Sequence, residues 1–128
     1  MKQLCNSLEI FLVSDIQSIE DTTVNLKDGR ASYRFFTDDF ELDLSDDSSD
    51  PGLLYGISQD IVADKPTSLD KGIFHYVRSA VILFNSVPGN KKIRVGSVEL
   101  PAKVTLSAQL NKVNIHIEAK MEESPFPL

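Results

Sequence analysis

"KVTLSAQLNKVNIHIEAKM", residues 103–121, alternates apolar with polar residues twice, once on each side of Asn111-Lys112. Val104, Leu106, Ala108 and Leu110 share one face of the first half, and Val113, Ile115, Ile117, Ala119 and Met121 share one face of the second. A period of two belongs to a strand with one side buried and the other wet. With a two-residue loop at Asn111-Lys112, Leu110 meets Val113, Ala108 meets Ile115, Leu106 meets Ile117 and Val104 meets Ala119. A slip of one position would set each of these against a polar residue, so the pairing is strongly specified. The expectation is a hairpin with those four pairs turned to the core.

Asp28-Gly29 is a second two-residue turn signal, placing Leu26 opposite Ala31, Val24 opposite Tyr33 and Thr22 opposite Phe35. Further strands are expected over 8–13, 40–44, 53–62, 80–84 and 91–95, the last two joined at Pro88-Gly89. In "SLDKGIFHYVR", Leu69, Ile73 and Val77 recur every four residues behind a capping Ser68, which predicts one short helix over about 68–78. Many short strands and one helix make residues 1–128 a single, mainly β domain, an antiparallel β-sandwich or partly open barrel. "SDDSSDPG", residues 45–52, is expected to be an acidic surface loop, and residues 122–128 an extended C-terminal tail.

A chain of 128 residues that is 41% hydrophobic suits one domain with a real core. Cys5 is the one cysteine, so no intrachain disulfide can form, in keeping with a reducing compartment. The apolar run 8–13 contains Glu9 and is too short for a secretory signal or a membrane span, so the protein is expected in the cytoplasm, with no membrane partner.

Charge is uneven. Residues 15–50 carry eleven acids against Lys27, Arg30 and Arg34, whereas residues 51–128 are slightly basic, and the whole chain stands at −6. Nucleic-acid binding draws on cationic contacts with phosphate, and this balance argues against it. The acids of the 38–50 region, Asp46, Asp47 and Asp50 among them, are complementary in sign to the turn bearing Lys91, Lys92 and Arg94. Such patches can guide like copies into head-to-tail contact, closing into a ring or running on as a filament. In the tail "MEESPFPL", Phe126 and Leu128 follow an acidic pair and offer an apolar arm for a neighbouring subunit.

The polar face of the opening stretch carries His116, with Ser107 expected across from it and Glu118 two residues along. A nucleophilic Ser needs a base, an orienting acid and an oxyanion hole in a cleft, which a flat strand surface does not offer. His75 falls on the expected helix, and two distant histidines with one cysteine assemble no zinc set. Asp46, Ser48 and Asp50 have the alternate spacing of a calcium loop, but Pro51 replaces its glycine and Ile57 stands where the bidentate Glu belongs. No phosphate-cradling or dinucleotide fingerprint is present. The expectation is a non-enzymatic interaction protein with no cofactor or metal. The alternative is a small ligand-binding β-module of the carbohydrate type using Tyr33, Tyr55 or Tyr76, weakened by the lack of Trp.

Two ends of the chain, "SLEIFLVSDI" and "KKIRVGSVELPAKVTLSAQLNKVNIHIEAKMEESPFPL", resemble small virion structural proteins of Bacteroidetes phages and prophages. The similarity lies in a first strand ending Val13-Ser14-Asp15-Ile16, then the Val95-Gly96-Ser97-Val98-Glu99-Leu100-Pro101 segment, alternating strands and a Pro-containing tail. Leu100 stands where an aromatic is more usual, and the acidic 38–50 region departs from the pattern. The resemblance implies a tail or neck subunit that self-assembles with its own copies or with other virion subunits. It would be found in the bacterial cytoplasm or in the virion. The motif names no functional residues.

Overall fold

The computed structural model describes residues 2–47, 54–65, 76–87, 89–108 and 110–121. Strand β10 (Lys112–Met121) keeps the alternation of its sequence, with Val113, Ile115, Ile117, Ala119 and Met121 buried. It lies antiparallel between β9 (Ala102–Ala108) and β6 (Leu54–Asp64). Its register with β9 is two residues away from the expected one: Val113 pairs with Ala108, Ile115 with Leu106 and Ile117 with Val104. A shift of two leaves every side chain on its own face, so alternation cannot oppose it. The connection is therefore longer than Asn111-Lys112, and Leu110 is 94% exposed instead of facing Val113. Leu106 is only half-buried and Ala108 is exposed.

The remaining strands complete a nearly closed antiparallel barrel. They are β1 (Lys2–Leu12), β4 (Tyr33–Asp43), β5 (Ser45–Asp47), β7 (Arg78–Ser86) and β8 (Lys92–Val95). The order is β4-β1-β7-β9-β10-β6-β5, with β8 also on β7. One edge of β7 serves both neighbours, since Ile82 to Asn85 pair with β8 while Arg78 to Ala80 pair with β9. Only Leu44 separates β4 from β5, so one run of chain borders β1 at one end of the order and β6 at the other. Phe35, Phe84, Leu8, Ile10, Ile115 and Ile117 fill the interior.

Along the β4–β6 seam a side chain replaces part of the ladder. Gln59 Nε2 donates to the Glu41 carbonyl at 2.7 Å, and its Oε1 accepts from the Asp43 N–H at 3.1 Å. That carbonyl and that N–H lie on the same edge of β4, so one amide satisfies two backbone groups as a strand would. Gln59→Leu is expected to cost about 1–2 kcal/mol, the worth of two net hydrogen bonds. Gln59→Glu keeps the acceptor but sets a carboxylate against the Glu41 carbonyl, so it should be the less stable variant at neutral pH. Its deficit relative to the parent should shrink once the pH falls to about 4, where a glutamate protonates. Urea titrations at two pH values check this, and a pH-independent difference would contradict it.

A small second sheet, β2 (Ile16–Glu20) with β3 (Thr23–Leu26), covers part of the outside. Its Ile16, Ile19, Val24 and Leu26 pack on Phe11, Val81 and Leu83, which point away from the barrel interior. This explains the unbroken apolar run Ala80 to Phe84, buried on both faces where a one-sided strand would alternate. It also corrects the hairpin expected at Asp28-Gly29. The turn exists, with Gly29 at φ 76° and the Arg30 N–H donating to the Lys27 carbonyl at 3.1 Å. The strands flanking it do not pair: β3 returns to β2 across Asp21-Thr22, with Asp21 at φ 53°, and β4 runs along β1. In these partnerships β2–β3 closes over Phe11 while β4 delivers Phe35 to the core.

Two other boundaries change. Of the helix expected over 68–78, residues 68–75 lie outside the described residues; Tyr76 and Val77 are not helical and Arg78 opens β7. Of the acidic loop expected over 45–52, Ser45–Asp47 form β5, paired with Leu54, Tyr55 and Gly56, and 48–52 lie outside the described residues. Residues 122–128, the expected tail, also lie outside them.

Candidate interaction surface

The outer face of β6 and β10 carries the polar residues singled out by alternation. His116 stands directly opposite Asp60 on β6 and Thr105 on β9. Ser107 sits across from Asn114, two residues from the position expected for it, a consequence of the shifted register. Both ring nitrogens of His116 face carboxylates: Nδ1 lies 2.9 Å from Asp60 Oδ1 and Nε2 lies 3.1 Å from Glu118 Oε1. Carboxylates only accept, so both contacts are hydrogen bonds only when the ring is an imidazolium. Asn114 Nδ2 adds a donor to the same Asp60 oxygen at 3.2 Å, and Lys112 pairs with Asp64 one repeat along. The arrangement is a cross-strand charge ladder.

Donating to Glu118 and then to Asp60 raises the His116 pKa above 6.5, and accepting from His116 holds Asp60 below 3.8. A raised His stabilises below its unfolded value and loses that contribution as the pH climbs through the folded one. A lowered Asp does the reverse at acid pH. The ladder is therefore tightest between about 3.8 and 6.5 and slackens on either side. With the His116 side chain 40% exposed, the effect on stability is small. The expected result is a His116 NMR titration midpoint above 6.5 that falls toward that value in Asp60→Asn and Glu118→Gln. A midpoint at or below 6.5 in the parent would contradict the geometry.

A different outer face, that of β4, β1, β7 and β8, brings together residues distant in sequence. Cys5 pairs with Phe40 on one side and Ser86 on the other, and the Ser86 N–H donates to the Lys91 carbonyl at 2.9 Å. The next row runs Phe36, Ser7, Asn85, Lys92. Neighbouring strands lie about 4.8 Å apart, so each row spans about 14 Å from β4 to β8. A bulge separates the rows, with Asn6 extra on β1 and Thr37, Asp38 and Asp39 between Phe36 and Phe40 on β4. Asp38, Asp39 and Arg34 are exposed on β4 and Lys92 on β8, while Lys91 is exposed from the inward row that holds the buried Cys5 and Ser86. Phe36 is 60% exposed and Leu4 38% exposed on the same face. Cys5 itself points inward at 0% exposure, and burial pushes its thiol up to about 11, which makes it a packing residue, not a nucleophile.

Of the interaction residues proposed from sequence, Lys91 and Lys92 are exposed beside the β7–β8 turn, and Arg94 is half-buried opposite Leu83. Asp46 and Asp47 pair with Tyr55 and Leu54 in β5, away from the basic turn. Asp50, Phe126 and Leu128 lie outside the described residues, as do His75 and the Ser48 and Pro51 of the calcium-like spacing. Sequence reasoning passed over Phe36 and Leu4. The signal for Phe36 was present: in an alternating strand, two adjacent phenylalanines cannot both face the core. Among the described residues no group of three or more His, Cys, Asp or Glu is placed to hold a metal ion, and no helix is long and apolar enough to cross a membrane. The chain matches no protein-family model, no curated protein and no solved structure.

Proposed function

We propose that this chain is a non-enzymatic structural subunit, a tail or neck component of a phage or prophage virion that works by assembling with its own copies. The observation that carries the reading is the outer face of β4, β1, β7 and β8, where Phe36 stands 60% exposed on β4 and Leu4 38% exposed on β1. Large aromatic side chains are enriched where proteins meet one another, so one left in water marks a contact surface. The barrel interior supports the same division of roles, since Phe35 and Phe84 at 0% exposure spend the large side chains there on packing. The likeness of residues 7–16 and 91–128 to phage structural proteins supplies the virion context. The test is to induce a host carrying the gene, purify particles by density gradient and search them for this chain by mass spectrometry. Stoichiometric presence in particles is expected; its absence from particles that contain the other virion proteins would overturn the reading.

A further inference from the structure

We infer that the barrel opens along the seam between β4 and β6, turning about Leu44 with the Gln59 side-chain amide as its latch. Around the wall β4, β1, β7, β9, β10 and β6 are each joined to the next by a backbone ladder, but no ladder joins β6 back to β4. The seam is closed by other means. Phe35 and Leu42 on one side and Ile57, Ile61 and Ala63 on the other share one core cluster. Apolar contact of this kind is non-directional and prescribes no fixed geometry. Parting the two edges breaks no strand ladder, so the sheet survives the motion and only part of the core is wetted.

The polar ties across the seam come from side chains. Gln59 takes an inward position on β6, opposite the buried Ile117 and between the buried Ile57 and Ile61. A polar residue in that apolar row is explained by its amide, which turns across the gap to the Glu41 carbonyl and the Asp43 N–H. Both bonds lie near one end of the seam. There Leu44 carries the chain directly from β4 into β5, which is paired to Tyr55 and Gly56 of β6, so the edges cannot separate. Toward the other end the tie is electrostatic. The Asp64 hydrogen bond, and after it the charges of Asp64 and Asp38, raise the Lys112 pKa, so Asp38 of β4 lies within electrostatic reach of the Lys112–Asp64 pair. Both side chains of that pair are exposed, and exposed ion pairs hold little. The seam is therefore pinned at Leu44, latched at Gln59 and weakly held beyond. Ala63 is 1% exposed and is the inward residue of β6 farthest from Leu44, so opening is the event that wets it.

The test is thiol labelling of the full, folded chain by iodoacetamide in a Cys5→Ala background. Ala63→Cys probes the seam, and Ile61→Cys, one inward position nearer the latch, is a second probe should the first fail to fold. Val104→Cys is the control, buried on β9 with ladders to β7 and β10 on its two sides. Urea titration of each variant verifies folding and gives the labelling rate that global unfolding alone allows. Ala63→Cys and Ile61→Cys are expected to label more than about a hundredfold faster than that rate, with little dependence on urea well below the midpoint. Val104→Cys should label no faster than its global unfolding allows and steeply with urea. Adding Gln59→Leu should speed labelling at the two seam positions by about tenfold, the worth of two net hydrogen bonds. Seam positions that label only as fast as global unfolding allows would overturn the opening. Fast labelling of Ala63→Cys that Gln59→Leu leaves unchanged would overturn the seam as its route and assign it to fraying at the end of the barrel.

Discussion

Replacing Ile117 by Ala is expected to lower stability by about 2–5 kcal/mol, while Leu106→Ala costs about 1 kcal/mol and Leu110→Ala less than about 0.5. Ile117 is 0% exposed, in the row Val104–Ile117–Gln59 that crosses three strands. Removing its outer atoms forfeits their transfer energy and leaves a hole among side chains held on all sides by ladders. Leu106 packs at the margin of the same core and is only half-buried, so its site can relax or admit water. Leu110 is 94% exposed and loses nothing by truncation. The graded series reports on register. If Leu106 paired with Ile117 and Leu110 with Val113, all three would sit in the core, and the three losses would be alike. Urea unfolding of the three variants, with unchanged m-values as the sign that the unfolded reference is unaffected, separates the two cases.

That outcome turns on what alternation can encode. The face of every residue in β10 was legible, because a period of two assigns sides without reference to any partner. The pairing was legible only to the nearest even shift, since moving β9 by two positions keeps Leu106, Val104 and Ala108 facing the same way. Turn chemistry then had to decide, and Asn111-Lys112 lacks the glycine that pins a two-residue loop. Asp28-Gly29 shows the opposite case, in which the turn formed as read while the strands around it chose other partners. A turn signal is local, but strand partnership depends on burial summed over the whole sheet. The pairing of β1 with β4 and β7, between residues as distant as Cys5 and Ser86, left no trace in any short window.

The candidate surface divides along the same line. The signs of the charged regions could be read from composition, and so could the wet position of His116. Which residues share a face could not: Asp60 reaches His116 from a strand 56 residues away, and Phe36 lies level with Lys92 only because β1 and β7 intervene. Asp46 and Asp47 were grouped with Asp38 by proximity in sequence, yet Leu44 carries the chain across the seam and places them beside β6 instead.

Gly96→Ala is expected to cost about 2–4 kcal/mol, because two independent penalties meet at one residue. Gly96 closes β8 at φ 90°, a backbone conformation that an L side chain adopts only with strain. A Cβ there would also lie 2.9 Å from the Ala102 nitrogen and 3.3 Å from the Ala80 carbonyl oxygen. Those are backbone atoms of a ladder pair, Ala80 with Ala102, at the point where the edge of β7 passes from β8 to β9. Neither atom can retreat without pulling the ladder apart, so the clash is not relieved by a rotamer change. Gly29 provides the control, since it has φ 76° but nothing within 4 Å of the added Cβ. Gly29→Ala should therefore show the conformational penalty alone, about 1–2 kcal/mol. The difference between the two variants isolates the close approach of chain to chain. Equal losses at both positions would mean that β8 can move away from Ala102, and the switch of β7 from one neighbour to the other would not be the rigid corner of the barrel that the contact distances imply.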